Sequence, residues 1–389
     1  MPASQPFDAV IAGGGLIGTS IALELARAGL RVAVFDPRPP GMESSWAGAG
    51  ILSPAPENPG MLAAVPICKA SLALYPEFVA AIEEICGQSC GFRPKGTLEA
   101  LFSRDVRAEL STIIAVHHGV GLRAEPLSAE DARELEPALS EDLEAAVLRP
   151  DEASVDNRAL TAAAVEAAKR SGAHFFSGIG VTSIWREGSR CLGLIVGEEK
   201  IAAGSTIIAA GCFSANIGGV ATFAPVQPAK GQMLALRAPS LSIERVLWSD
   251  KVYLVPRNDG RILAGATVEY AGFDKSVTAG GMEKILAGAI ELAPALARAN
   301  VEETWAGLRP DSPDHLPILG PTDVEGLLIA TGHFRSGILL APITARLIRE
   351  WITLGSVGID CDRFSPLRFQ AANRAASGAA AQAAQRTPA

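Results

Sequence analysis

The sequence has no Cys-x-x-Cys pair, and its six cysteines (Cys68, Cys86, Cys90, Cys191, Cys212, Cys361) have no histidine ligand set beside them. That argues against a zinc knuckle or a dithiol redox centre and leaves reduced thiols in a cytosolic protein as the plain reading. Basic residues form no runs and the net charge is −8, which weighs against a broad nucleic-acid face. No basic segment followed by an apolar run precedes the first predicted strand, so no signal peptide is expected and a cytoplasmic location is. One stretch, 201–229, lacks any charge and is long enough to span a bilayer. Gly204, Gly211, Asn216, Gly218, Gly219, Pro225, Gln227 and Pro228 interrupt it, so it reads as strand, turn, short helix and strand. Neither a nucleophile triad nor a paired-carboxylate motif stands out.

What is present is ample material for a core: 389 residues, 48% hydrophobic and 20% charged. That length favours two intertwined or sequential domains. "FDAVIAGGGLIGTSIALELARAGLRVAVFD" reads as strand, glycine turn, helix, strand. Ile17, Ile21, Leu25 and Ala28 recur at helical spacing, and Gly29 closes the helix. Further helices are predicted near 61–85, 157–172 and 281–292. From Val226 to Val268 the texture changes to short alternating runs with a turn at Asn258–Gly260, the pattern of antiparallel sheet.

The predicted fold is therefore α/β, α+β overall. A Rossmann-like domain with a parallel sheet comes from 1–90, 150–220 and 305–370. A mostly antiparallel substrate domain comes from 91–149 and 221–304, and 371–389 is a flexible tail.

Gly13-x-Gly15-x-x-Gly18 sits between strand and helix. Its glycines suit a tight turn, close backbone approach to a pyrophosphate, and close helix–strand packing. The helix start, with Leu16 and Ile17, offers unpaired N–H groups to phosphate. Asp36 ends the next strand, where a carboxylate accepts from both ribose hydroxyls and repels a 2′-phosphate; Arg38 nearby keeps a 2′-phosphate open. The loop alone does not separate FAD from NAD. "ESSWAGAGILSP" (43–54), "IIAAGCFS" with Gly211, and "GHFRSGILLAP" (332–342) add small-residue strand ends that suit a ligand longer than NAD. Each by itself also reads as packing.

These residues carry a resemblance. "VIAGGGLIGTSIALELARAG", "SSWAGAGIL", "VYLVPR…GRILAGAT", "WAGLRPDSPDHLPILG" and "IATGHFRSGILLAPITARLI" span nearly the whole chain in order. Together they are similar to the D-amino-acid oxidase superfamily of FAD enzymes, and within it to the glycine oxidases of thiamine biosynthesis. The resemblance implies FAD, two electrons taken from a small amino acid, and O2 reduced to H2O2. It implies Arg309 as the substrate-carboxylate clamp, Tyr253 as a hydroxyl lining the substrate pocket and Arg335 as a second basic residue at substrate and flavin.

It also implies His333, Phe334, Arg335, Ser336, Gly337, Ile338 and Leu339 as the loop facing the flavin ring. Pro37, Ser44, Ser45, Ala49, Gly50, Ile51 and Val181 join Asp36 as further cofactor contacts. Ile51 stands where relatives often carry methionine, Asp36 replaces a more usual glutamate, and Trp46 is bulkier than expected. Gly307 falls where sarcosine-oxidising relatives attach flavin through cysteine, so non-covalent FAD is expected. A homo-oligomer and a transient thiazole synthase partner follow by kinship only.

Mechanistically, a guanidinium at 309 grips a carboxylate with two parallel hydrogen bonds, which lysine cannot copy. A helix beginning near Gly337 would aim N–H groups at the reduced ring. Hydride transfer needs mostly positioning, consistent with the missing triad. The histidines 117, 118 and 315 read as surface, packing or loop residues. Three other readings stay open: a dehydrogenase of the same fold passing electrons to a quinone, a tRNA-modifying flavoprotein domain, and a non-catalytic dinucleotide-binding partner.

Overall fold

Strand β1 (Phe7–Ala12) is buried through its last four residues, the pattern of a central parallel strand covered on both faces. Helix α1 (Leu16–Arg27) follows, and β2 (Val32–Asp36) returns parallel to β1. The computed structural model describes residues 6–56, 59–103 and 105–370; the tail predicted at 371–389 lies outside them. Around β1 the first sheet runs Ile318–Pro321, Leu327–Thr331, Glu199–Ile208, β1, β2, His174–Ser177. Every pairing along it is parallel except that of the edge strand Ile318–Pro321. Helices α1, Val65–Cys86, Asn157–Arg170 and Ala341–Leu354 share one continuous apolar core on this sheet. A hairpin, Val181–Glu187 with Arg190–Val196, helps fill the other side.

The second sheet has eight strands in the order Asn300–Asp311, Gln227–Arg237, Arg261–Gly265, Tyr253–Pro256, Val246–Trp248, Thr97–Leu101, Ala145–Arg149, Glu125–Ser128. Only the Val246–Trp248 and Thr97–Leu101 pairing is parallel. Side chains alternate across a strand, so one face is apolar: Leu98, Leu247, Leu254, Ala264 and Leu234 pack on Ile285, Ala289 and Leu292 of helix Ala279–Leu292. The opposite face carries a continuous cross-strand row, Glu99, Trp248, Tyr253, Gly265, Met233, Trp305. That row turns toward the parallel-sheet half, and this placement creates the site.

The uncharged stretch 201–229 is the strand Glu199–Ile208, the short 3-10 turn Gly211–Asn216 and the start of Gln227–Arg237, as its glycines and prolines predict. The segment Pro59–Cys86 is also apolar enough by composition to cross a membrane. Here its helix packs Ile67, Tyr75, Val79 and Ile82 into the first core.

Candidate active site

A cleft of about 800 Å³ opens between the two sheets. Gly13, Gly15, Leu16 and Ile17 line one end, where α1 begins after Gly15, which has no side chain to cap it. A helix start against a cavity is an anion cradle, and the residues present fit a pyrophosphate there. Gly18 does not line the cleft. A Cβ at that position would collide with the carbonyl oxygen of Gly13, so the third glycine acts in helix–strand packing.

Asp36 lines the cleft with Pro37, and its carboxylate is held in place: Gly14 N–H donates to Oδ2 at 2.7 Å and Arg38 N–H to Oδ1 at 2.9 Å. Ser44, Ser45, Ala49, Gly50, Ile51, Val181 and Gly211 line it further along. Ser45 Oγ accepts from Leu16 N–H at 2.8 Å, and Ser44 Oγ donates to the Leu308 carbonyl, so the paired serines tie this loop to both halves.

The loop of His333, Phe334, Arg335, Ser336, Gly337, Ile338 and Leu339 forms the next wall. The regular helix starts at Ala341, not near Gly337: residues 337–340 form a turn in which Leu340 N–H already donates to Ser336 O. Pro342 sets that start, because it cannot donate within a helix and is tolerated only in the first turn. His333 is fully enclosed; its Nε2 lies 3.1 Å from Thr344 Oγ1, and burial pulls its pKa down to about 3. It is therefore a neutral side chain. From behind, Ser71 Oγ donates to Leu339 O at 2.6 Å and Tyr75 Oη to Ile338 O at 2.7 Å, fixing the loop on the long helix Val65–Cys86.

The other wall is the antiparallel sheet. Arg309 and Tyr253 come from strands far apart in sequence and meet over the row described above, close enough for the guanidinium charge to act on the Tyr253 hydroxyl. Tyr253 Oη also donates to Met233 Sδ at 3.2 Å, and burial, outweighing Arg309, holds its pKa above the usual phenol value. Arg309 Nη1 donates to Thr267 O at 3.2 Å, and among the described residues no carboxylate pairs with it. Gly231, next to Gly307 across the strands, leaves room for this guanidinium, because a Cβ there would strike it. Arg335 lines the cleft, is exposed, and lies 5.4 Å from the Phe334 ring centroid. Ile51 lines the same space and pairs with Ser154.

Several site residues carry no motif of their own. Arg257, buried at the end of Tyr253–Pro256, donates through Nη2 to Ala49 O at 2.8 Å and Asn157 Oδ1 at 2.7 Å, pinning the loop after the serines. It stands within "VYLVPR", so its neighbourhood was readable but its reach was not. Trp46 uses its bulk between the halves: the Arg158 guanidinium lies 3.6 Å from its ring centroid and 4.6 Å from that of Trp305. His117 is buried and lines the cleft, unlike the exposed His118. Glu99, Arg149 and Trp248 line it too.

Comparison with known proteins agrees with this geometry. Residues 8–351 match the family described as FAD dependent oxidoreductase. The bifunctional protein ThiO/ThiG of Synechocystis sp. is 36% identical over 371 residues, 93% of this chain and 54% of its own length. The chain thus spans about half of that relative. Glycine oxidase of Geobacillus kaustophilus is 32% identical, covering 93% of this chain and 97% of that one. Its crystal structure superposes with a TM-score of 0.88 over 93% of this chain and 98% of that chain. Iminodiacetate oxidase from Chelativorans sp. BNC1 is 30% identical, with a TM-score of 0.82 over 92% and 98% of the two chains. The chain therefore belongs to the family of FAD dependent oxidoreductases.

Proposed function

We propose that this protein oxidises glycine or another small amino acid to the imine, which water converts to the oxo acid and ammonia, with O2 reduced to H2O2. The carrying observation is Arg309: a guanidinium in the cleft wall beside Tyr253, with no acidic partner among the described residues. Such a group is available to a substrate carboxylate in two parallel hydrogen bonds. When bound, FAD supplies the two-electron acceptor. The α1 start, Asp36 and the loop 333–339 would hold it, without a covalent link at Gly307.

What the protein's own groups do is positional. Arg309 orients the acid, the Tyr253 hydroxyl stays protonated as a donor, and Arg335 adds positive charge on the open side. His333 stays neutral behind the loop. Restricting the amine to one pose lets its Cα–H face the ring, and positioning of this kind supplies most of the acceleration in hydride transfer.

The glycine oxidases and the iminodiacetate oxidase among its relatives support a small amino-acid substrate. The relative named as a bifunctional ThiO/ThiG protein supports a role in thiamine biosynthesis, with dehydroglycine passed to a thiazole synthase. A homo-oligomer in the cytoplasm completes the reading. The test is a flavin spectrum under anaerobic titration with glycine, followed by air. Bleaching and rapid reoxidation with H2O2 are expected; no bleaching by any small amino acid overturns the reading, and bleaching without reoxidation makes it a dehydrogenase.

A further inference from the structure

Residues 230–233 of strand Gln227–Arg237 serve both faces of the antiparallel sheet, because side chains alternate along a strand. Gly231 and Met233 line the cleft, under Arg309 and beside Tyr253. Lys230 and Gln232 point the other way and are 1% and 0% exposed. A buried lysine is costly unless its charge is matched, and this one lies 3.4 Å from both Glu269 Oε2 and Asp274 Oδ2. None of these four side chains lines the cleft, so contact with a ligand does not account for them.

The chain that carries both acids leaves strand Arg261–Gly265 with one residue too many. Met233 pairs with Gly265 and Lys230 with Glu269, so residues 266–268 stand against only 231–232, a β-bulge beside the site. Lys230 and Glu269 exchange both backbone hydrogen bonds, at 2.8 and 2.9 Å. In an antiparallel ladder the next exchange would join Gln232 N–H to the carbonyl of Thr267. Instead Gln232 N–H donates to Thr267 Oγ1 at 3.0 Å, and the carbonyl so released accepts from Arg309 Nη1 at 3.2 Å. The hydroxyl is itself fixed: it donates to Glu269 Oε1 at 2.5 Å, which also accepts from Gln232 Nε2 at 2.7 Å. Partial burial raises the Glu269 pKa, but the Thr267 and Gln232 donors and the Lys230 charge outweigh it and keep the carboxylate ionised. The path from Lys230 through Glu269 and Thr267 thus ends on the guanidinium.

We infer that Thr267, locked by Glu269 and Lys230 from the far face of the sheet, is a positioning residue that aims the Arg309 guanidinium and so sets the affinity of the site for a substrate carboxylate. This rests on the reading of Arg309 as the carboxylate clamp and extends that site to groups that never touch substrate.

The holoenzyme is titrated with acetate, which has a carboxylate and no amine to oxidise, and binding is read from the flavin absorption spectrum. Thr267→Val keeps the side-chain shape and removes the hydroxyl, so the carbonyl is free to return to Gln232 N–H and Arg309 loses its acceptor. Acetate then binds about tenfold more weakly, a loss of the size of one charge-assisted hydrogen bond. Thr267→Ser keeps the hydroxyl and binds acetate within about twofold of the parent. In an Arg309→Ala background Thr267→Val weakens binding no further, because the group it acts through is gone. Lys230→Met, which takes the cation from Glu269, weakens acetate binding in the same direction; should it fail to fold, the two Thr267 variants decide. Circular dichroism and flavin content confirm that each variant is folded. Unchanged affinity in Thr267→Val overturns the inference, as does equal weakening with and without Arg309, or a serine variant as weak as the valine one. Because the titration needs no turnover, a parent that binds acetate yet is not bleached by glycine strikes the oxidase reading alone. A parent that does not bind acetate loses the clamp, and this inference with it.

Discussion

The proposed role of Arg309 rests on its having no carboxylate partner among the described residues. Removing one partner of a buried, hydrogen-bonded charge pair costs about 2–5 kcal/mol. Arg309→Ala or Arg309→Lys is therefore expected to raise KM for glycine by roughly 30-fold or more. Steady-state kinetics check this, and an unchanged KM would remove the clamp. Gly231→Ala gives a finer test. The nearest atoms the new methyl meets are at the flexible end of Arg309, so the fold tolerates it, but the guanidinium must move. A thermal midpoint near that of the parent protein with KM raised about tenfold is the expected pair of results, since small misplacements are costly in catalysis. Tyr253→Phe keeps the ring against Trp248 and loses only the hydroxyl, so its effect should be smaller than that of either arginine variant.

At the scale of elements, two devices hold the loops that line the cleft. Arg257, whose own pKa burial lowers to about 10, reaches from the substrate sheet to Ala49 O and Asn157 Oδ1. Arg257→Met leaves both acceptors unpaired, a loss of about 1–3 kcal/mol read as a lower denaturation midpoint together with weaker flavin retention. The second device is the loop after Thr331, fixed by Ser71 and Tyr75 from behind and by buried His333 within.

His333 gives a pH dependence with a definite sign. Its folded pKa is about 3 against an ordinary 6.5, so between those values the unfolded chain binds the proton and the folded one does not. Stability is complete above pH 6.5 and falls as pH drops toward 3, by at most ~1.4 kcal/mol per pH unit from this group. Denaturation series from pH 7 to 4 should show that slope in the parent and a shallower one in His333→Asn.

Across the whole molecule, the six cysteines are free and buried. Burial pushes the thiols of Cys68, Cys90 and Cys212 up to about 12, so they stay protonated and unreactive. A thiol reagent should find almost none in the native holoenzyme and all six after denaturation. Early labelling of Cys212, which lines the cleft near Gly211, would report loss of cofactor before global unfolding. Trp46, Arg158, Trp305 and Glu303 form a bridge between the two halves. The halves are thus coupled, and a single cooperative transition is the expected behaviour.

Local chemistry wrote much of this into the chain. The glycine loop, the buried β1 and the alternating runs of the second sheet follow from short-range rules: glycine where backbones crowd, and apolar residues every second position where one face is covered. The family pattern around Arg309, Tyr253 and "GHFRSG" was legible because those residues stand in contiguous motifs. What no window of sequence could decide was which distant side chains share a wall. The register of eight strands brings Glu99, Trp248 and Tyr253 into one row and seats Gly231 under Arg309, while the packing of helix Val106–Gly119 turns His117 inward. Pro342 sets the helix start at Ala341, but that the turn before it is held by Ser71 and Tyr75, more than two hundred positions earlier, only the packing decides. Periodicity sets which way each side chain points along its own strand, whereas strand pairing and packing set what it meets there.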